Sequence, residues 1–415
     1  MERVVDIATD NLYLAVQRGF LTVSDQGEER GRIALDDIGA LIVHAHGVTW
    51  STTVFTRLGD RGVPVVICGS NHAPQSIVWP LHGHHLQGAR MRAQLAAPRP
   101  LGKQMWKEIV QAKIRMQGEI LLRNGHEAGA FDLLARSVRS GDPDNVEAQA
   151  ARRYWKLLFG RHFTRDQDGG DINGLLNYGY TVLRAILARA ICASGLHPTL
   201  GIFHANRANA FALADDLMEP YRPLVDQMVR ALVDEGMSEV NPETKLVLTR
   251  ITTLDLPSLL GVSPLSVQAQ RFVHSVAQSF ETGKARLELT PKNPSNKRAQ
   301  KANSGATHLS GYQLMWMLVT FDLPVETKQQ RAAATKFRLA LLDLGFEMSQ
   351  FSNYLRFCKG KEQFEAYVRK IETHLPSMGN VYIFPFTDRQ YENIVRFSDQ
   401  GRRTPQKNPG QLALF

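Results

Sequence analysis

The segment GIFHANRANAFALADDLMEPYRP, from Gly201 to Pro223, gathers one imidazole and three carboxylates near an arginine. Helical spacing puts Asp215 and Glu219 one turn apart, on a face with Phe211 or Ala212 and Arg222, while His204 precedes the helix. Two acids on a half-apolar face are costly to bury without a cation. Arg222 could be that cation, giving a structural ion pair. A divalent ion is the alternative. One neutral imidazole and two carboxylates suit Mg²⁺ or Mn²⁺, whose hard charge they offset while leaving positions open for phosphate and water. Zinc fits poorly, because there is no HExxH and Cys68, Cys192 and Cys358 stand far apart as buried free thiols. Asp216 reads as part of a solvated acidic face. Upstream, DNVEAQAARRYW puts Glu147 in the first turn of a helix that Asp144 or Asn145 can cap, with Ala151 and Tyr154 on its face. Taken alone, Glu147 is a stabilising first-turn carboxylate.

These residues need elements to hold them. Residues 1–85 carry short β-branched runs, VVDIA, LYLAV, FLTV, IGALIVHA, VPVVICG and SIVWPL, which predict a β-sandwich. Residues 86–290 change period: Trp106, Ile109, Val110 and Ile114 recur at helical steps, and further helices are expected from Val146 to Phe159, Gly174 to Ser194 and Arg207 to Glu219. Residues 291–310 hold basic residues, no acid and almost nothing apolar, and read as a flexible linker. Residues 311–400 then run strand, helix, two strands, helix, strand. That βαββαβ order is ferredoxin-like, with one sheet face left for a partner such as a second copy. The last residues, 401–415, read as a tail. The fold class expected is a multidomain α and β protein: an N-terminal β-sandwich, a central α-helical domain and a C-terminal ferredoxin-like domain.

Composition narrows the function. The chain has 415 residues, 43% hydrophobic and 21% charged, so several folded units are expected. Its net charge is +9. From Lys292 onward 18 Lys and Arg oppose 10 Asp and Glu, so +8 of the excess lies there, and such a patch attracts phosphate backbones without choosing sequence. No run is apolar enough for a signal peptide or a membrane span, which points to the cytoplasm. No phosphate-binding GxxxxGK[ST] loop appears, so nucleotide energy input is not indicated.

The three motifs DNVEAQAARRYW, INGLLNYGYTVLRAILARAI and GIFHANRANAFALADDLMEPYRP, in that order behind a β-rich start, resemble the CRISPR-associated integrase family called Cas one across about residues 1–290. Residues from about Leu309 to Phe415, with VTFDLP and SQFSNYLRF, resemble Cas two, the ferredoxin-like scaffold of the same complex. The style of both is closest to type II systems. The chain therefore resembles a fusion of the two, natural or constructed.

The resemblance implies that Glu147, His204 and Glu219 hold Mg²⁺ or Mn²⁺, with Asp215 an accessory acid and Asn145 shaping the loop before the ligand helix. It implies an integrase of CRISPR adaptation, in which the 3′-hydroxyl ends of double-stranded prespacer DNA are joined to the leader-proximal repeat by two transesterifications. It also implies integrase dimers around a central scaffold dimer, with the sandwich as the dimerising unit, and the type II RNA-guided nuclease as a partner. Lys328, Arg331, Lys336, Arg338, Arg356, Lys359 and Lys361 are candidates to hold DNA phosphates in the scaffold half. Asp322 ends the first scaffold strand and is a candidate second metal ligand, although it lacks clustered partners. The apolar end QLALF fits the family's docking strand, and also resembles a peptide that binds the bacterial sliding clamp. Two other functions remain open: a structure-specific metal-dependent endonuclease acting on branched DNA, and a non-catalytic DNA-binding scaffold whose acids pair with arginines.

Overall fold

The β-branched runs near the N-terminus form two sheets around one core. A computed structural model of the chain describes every residue except 1–2, 70–73, 82–83, 167–168, 205–208, 259–260, 290–314, 359–360, 388–389, 392–393, 395, 399–400, 404–411 and 415. The expected linker at 291–310 lies outside the described residues.

Strands β1 (Arg3–Ile7), β2 (Tyr13–Gln17), β3 (Phe20–Asp25), β4 (Glu28–Ala34), β5 (Ile38–Val43) and β6 (Thr49–Trp50) are followed by helix α1 (Thr52–Gly59), then β7 (Val65–Cys68) and β8 (Pro74–Val78). One sheet has the order β4-β3-β2-β6. The other joins β1, β5 and β7 in parallel, with β8 antiparallel at its edge. Alternation sends Val5, Ile7, Leu41, Val43 and Val65 toward Leu14, Leu21, Val23 and Ile33 of the first sheet, with Val54 and Leu58 of α1 in the same core. The other face of the parallel sheet, carrying Val4, Ala40, Ile42 and Val66, belongs to the core of the helical unit. A sheet covered on both sides explains why β5, IGALIV, is buried at every position. The sandwich is thus present, but its second sheet is mostly parallel and shared with the helices.

The helical unit contains α2 (Gln87–Leu95), α3 (Arg99–Arg123), α4 (Gly129–Ser137), α5 (Val146–Leu158), α6 (Asp171–Ala193), α7 (Ala212–Met218), α8 (Arg222–Asp234) and α9 (Pro242–Thr249). A hairpin, β9 (Asp255–Ser258) with β10 (Gly261–Pro264), leads into α10 (Leu265–Thr282). Helix α6 is central and buried around most of its circumference, as its mostly apolar sequence demands. It stops at Gly195, whose φ of 68° lets the Gly195 and Leu196 amides bond back to Cys192 and Ile191. No helix among the described residues is long and apolar enough to cross a membrane.

The C-terminal unit comprises β11 (Met315–Asp322), α11 (Lys328–Asp343), β12 (Glu347–Gln350), β13 (Asn353–Cys358), α12 (Lys361–Glu372) and β14 (Asn380–Thr387). Its sheet is antiparallel with the order β12-β13-β11-β14, the strand order of a ferredoxin-like fold. Met317, Val319 and Phe321 alternate toward Phe337, Leu341, Tyr367 and Ile371 on the two helices. The opposite face is only half open: Trp316, Leu355 and Phe357 cluster with Tyr391, whose ring stacks on Trp316 at 4.0 Å. Tyr382 and Phe384 stay exposed. A further hairpin, β15 (Arg396–Ser398) with β16 (Gly401–Arg403), precedes β17 (Leu412–Leu414), which adds in parallel to the free edge of β1.

The C-terminal unit also packs on the first sheets. Asp36 Oδ2 accepts from the Tyr367 hydroxyl at 2.8 Å, and Arg356 reaches Asp37 at 3.3 Å. Arg356 donates to the carbonyls of Leu344 and Gly345 at 2.8 and 2.7 Å and is buried, with its guanidinium 4.3 Å from the centre of the Tyr367 ring. It was expected to be a surface hand for phosphate. Its two terminal nitrogens are instead spent inside the protein, because the strand that carries it faces the seam between the two units.

Candidate active site

Glu147 is aimed by the turn that precedes its helix. Asp142 and Asn145 both take left-handed backbone conformations, with φ of 46° and 50°. This turn lets both oxygens of the buried Asp142 accept the Val146 and Glu147 amides, at 2.9 and 3.0 Å. The cap is therefore Asp142, not Asp144 or Asn145: Asp144 is drawn into an exposed bidentate pair with Arg139, and the Asn145 side chain makes no cap bond. Glu219 sits where α7 tightens into a 3₁₀ turn, Glu219–Tyr221, before α8. Pro220 lacks an amide proton, which fits the first positions of that turn, so it reshapes the helix without ending it.

These two carboxylates, distant in sequence, converge on one side chain of α3. Lys113 Nζ donates to Glu147 Oε1 at 2.5 Å and also meets Glu219 Oε2. Arg222 holds the other Glu219 oxygen at 2.8 Å. The contacts to Glu219 are ion pairs by distance; the buried Oε2 has no aligned hydrogen-bond donor. Burial raises the Glu219 carboxyl, but Arg222 and Lys113 outweigh it and hold the group below its ordinary range. Burial likewise works against the Lys113 ammonium, and the charges of Glu219 and Glu147 win, raising it.

His204 is fixed by Asp216, the acid expected on a solvated face. Asp216 is fully buried, and its Oδ2 accepts the amides of Ile202 and Phe203 at 2.6 and 2.9 Å. Its Oδ1 accepts from His204 Nδ1. The solvated face expected for Asp216 is overturned, because adjacent helical residues point about 100° apart and α7 turns Asp216 inward onto the 201–204 loop. That loop is held further by Phe203, whose ring stacks on Trp106 at 4.4 Å. The Asp216 bond raises the His204 pKa and leaves Nε2 as the ring nitrogen for another partner. Asp215 is tied to Arg184 at 2.7 Å and Asn209 at 2.8 Å.

His204, Asp215 and Glu219 line one polar cavity of about 280 Å³ with Arg165, Arg184, Arg222 and Tyr180. Arg222 lies 4.7 Å from the centre of the Tyr180 ring, and the Tyr180 hydroxyl donates to the buried Asp226. Burial pushes Asp226 up to about 7. Among the described residues, no three His, Cys, Asp or Glu side chains are gathered tightly enough to hold an ion as they stand. Glu147 and Glu219 come together, but around Lys113, and His204 shares the cavity while bonded to Asp216.

Of the remaining sequence candidates, Asp322 is exposed at the end of β11, away from the cavity. Lys328, Arg331 and Lys336 are exposed on α11. Arg338 bonds the Tyr354 hydroxyl at 3.1 Å. Lys359 lies outside the described residues, and Lys361 is described only as the first residue of α12. The three cysteines are buried and free, and burial pushes Cys68 up to about 12 and Cys192 and Cys358 up to about 11. Such thiols are poor nucleophiles.

Sequence reasoning missed Lys113, Asp142, Asp216 and Arg184. Asp216 had a signal, since an Asp-Asp pair on an apolar helix cannot turn both acids outward. Lys113 had only its place beside Ile114 on the helix.

Residues 5–249 match the family CRISPR associated protein Cas1, and residues 315–394 match CRISPR associated protein Cas2. The CRISPR-associated endonuclease Cas1 of Neisseria meningitidis serogroup C is 35% identical over 279 residues, 65% of this chain and 88% of that protein. The CRISPR-associated endoribonuclease Cas2 of Paracidovorax avenae is 56% identical over 107 residues, 26% of this chain and 99% of that protein. A casposase bound to its integration product superposes with a TM-score of 0.60 at 20% identity, over 73% of this chain and 99% of that one. At that identity the likeness is one of fold.

Proposed function

Because the chain belongs to the Cas1 family and carries a Cas2 unit in the same polypeptide, we propose that it is an integrase of CRISPR adaptation. In this reading it joins the 3′ ends of prespacer DNA to the leader-proximal repeat by metal-dependent transesterification. The observation that carries it is the convergence of Glu147 and Glu219 beside a cavity that His204 also lines.

The donor set fits Mg²⁺ or Mn²⁺. Two carboxylates already surround one positive charge, Glu219 Oε2 is buried without an aligned donor, and His204 keeps Nε2 for a ligand. Glu147, Glu219 and His204 would hold the ion, with Asp215 tied to Arg184 at the rim. When bound, it would polarise the scissile phosphate and offset charge on the leaving oxygen. The protein's own contribution is orientation. Asp142 aims Glu147, Asp216 sets the His204 tautomer and ring position, and Arg222 keeps Glu219 ionised in its buried place. Arg165 and Arg184, on the cavity wall, supply positive charge for a phosphodiester.

The exposed Lys328, Arg331 and Lys336 of α11 give the scaffold half a basic surface for the prespacer backbone. The addition of β17 to β1 fits docking of the scaffold's end on the integrase half. We place the chain in an assembly of integrase dimers about a scaffold dimer, with an RNA-guided nuclease as a partner.

The test uses labelled prespacer duplex and supercoiled plasmid carrying leader and repeat, with Mg²⁺ or Mn²⁺. Joined DNA that disappears in H204A, with prespacer binding retained, supports the integrase. Cut branches without joined product would favour a structure-specific nuclease, and binding without chemistry in wild type and E147A alike would favour a scaffold.

A further inference from the structure

The two acids read as ion ligands are held by a lysine. Lys113 Nζ contacts an oxygen of each, Glu147 Oε1 and Glu219 Oε2, while Arg222 takes only the far oxygen of Glu219. A divalent ion bound by these oxygens would stand about 2.1 Å from each, within a few ångströms of the ammonium. In a poorly screened site the two cations would repel strongly. Arg222 has no such conflict, since the oxygen it holds is not the one facing Glu147. The Lys113 side chain is 12% exposed, so its flexible stem has a way out that a sealed lysine would lack.

We propose that Lys113 is a positioning residue that stands in for the divalent ion: it gathers Glu147 and Glu219 in the metal-free protein and must withdraw when the ion loads. The inference rests on the integrase reading of those two acids. Without it the two neighbouring carboxylates, Glu219 buried and Glu147 half-buried, would repel each other. The ammonium holds the two close, so loading becomes an exchange of cations at a formed site. Exchange also weakens affinity, because the incoming ion must displace a bound charge.

Titration calorimetry with Mn²⁺ on the full chain tests this. K113M is expected to bind Mn²⁺ at least about tenfold more tightly than wild type, to melt lower without metal and to gain more in Tm from Mn²⁺. Since K113M could fail to fold, a second measurement uses the unaltered chain. Acetylation by an N-hydroxysuccinimide ester, read peptide by peptide by mass spectrometry, should modify Lys113 slowly without metal and several-fold faster with saturating Mn²⁺. Lys245, buried against Asp6 at 3.0 Å, should not change. Unchanged or slower labelling of Lys113 under saturating Mn²⁺, or equal or weaker Mn²⁺ binding by K113M, overturns the stand-in role while the ion site survives. No Mn²⁺ uptake by either chain, or uptake untouched by E219Q, overturns both.

Discussion

Two of the clusters of buried charge among the described residues differ in what they leave unfinished. At the seam between the units, Arg356 spends its two terminal nitrogens on two backbone carbonyls and Asp37, and Asp36 is shared by Tyr367 and Arg61. At the cavity, Glu219 keeps a buried oxygen without an aligned donor, beside a space large enough for several waters. Both clusters perturb pKa values. Both also leave a buried polar atom without an aligned partner, Arg356 Nε at the seam and Glu219 Oε2 at the cavity, but Glu219 lines open space. Buried charge by itself does not mark a reactive centre.

The sharpest way to break this contrast is chemical. E219Q removes a proposed ion ligand, and several kcal/mol of transition-state stabilisation correspond to a loss of about a thousandfold in joining rate. R356M should leave that rate within a fewfold for the protein that remains folded. Equal losses in the two would erase the distinction.

The next effect belongs to the seam. R356M removes one partner of Asp37 and a donor to the Leu344 and Gly345 carbonyls, so denaturant unfolding should show a loss of about 3 kcal/mol. A change under about 0.5 kcal/mol would mean that the seam contributes little.

Beneath the cavity, Asp226 links stability to pH. Burial raises this carboxyl to about 7, so the folded state keeps a proton that the unfolded chain releases near the usual carboxylate value of about 3.9. Stability should therefore fall as pH rises between those values, then level off. Thermal melts of D226N should gain on wild type by a few degrees across that window, and parallel curves would refute the link.

The smallest effect is at Asp36. Burial works against its ionisation, but the Tyr367 hydroxyl and the Arg61 and Arg356 charges prevail and hold it below the ordinary range. A depressed carboxyl stabilises above its unfolded value and loses that contribution as pH falls through its folded one. D36N should cost about 1 kcal/mol at pH 7, and wild type and variant should converge as acid protonates Asp36 in the folded state too. A gap that persisted in acid would trace the effect to shape.

Much of the fold was legible from local pattern. The strand-helix order from β11 onward announced the antiparallel sheet, and the three- and four-residue steps in α3 announced that helix. The C-terminal end of α6 was legible too, through Gly195, while its start lies at Asp171 instead of the expected Gly174. The parallel pairing of β1 with β5 was not, because parallel strands are buried on both faces and carry no alternation to read. At the site, the residue types near His204 and Glu219 suggested ion chemistry, but their partners were misjudged. Asp216, read as part of a solvated face, holds His204, and Asp142 rather than Asp144 or Asn145 caps the helix of Glu147. Those choices depend on which way a turn bends.

What the sequence determined by itself was periodicity, the supply of acids, imidazole and arginines, and a basic C-terminal half. Only the tertiary structure decided that Lys113 comes between two acids from distant helices and that Arg356 faces inward. Spacing along a chain sets which residues share a face, whereas the distance between two faces is set by how the helices and sheets pack. Coulomb interactions follow that distance, so pairing of charges is a property of the packed molecule.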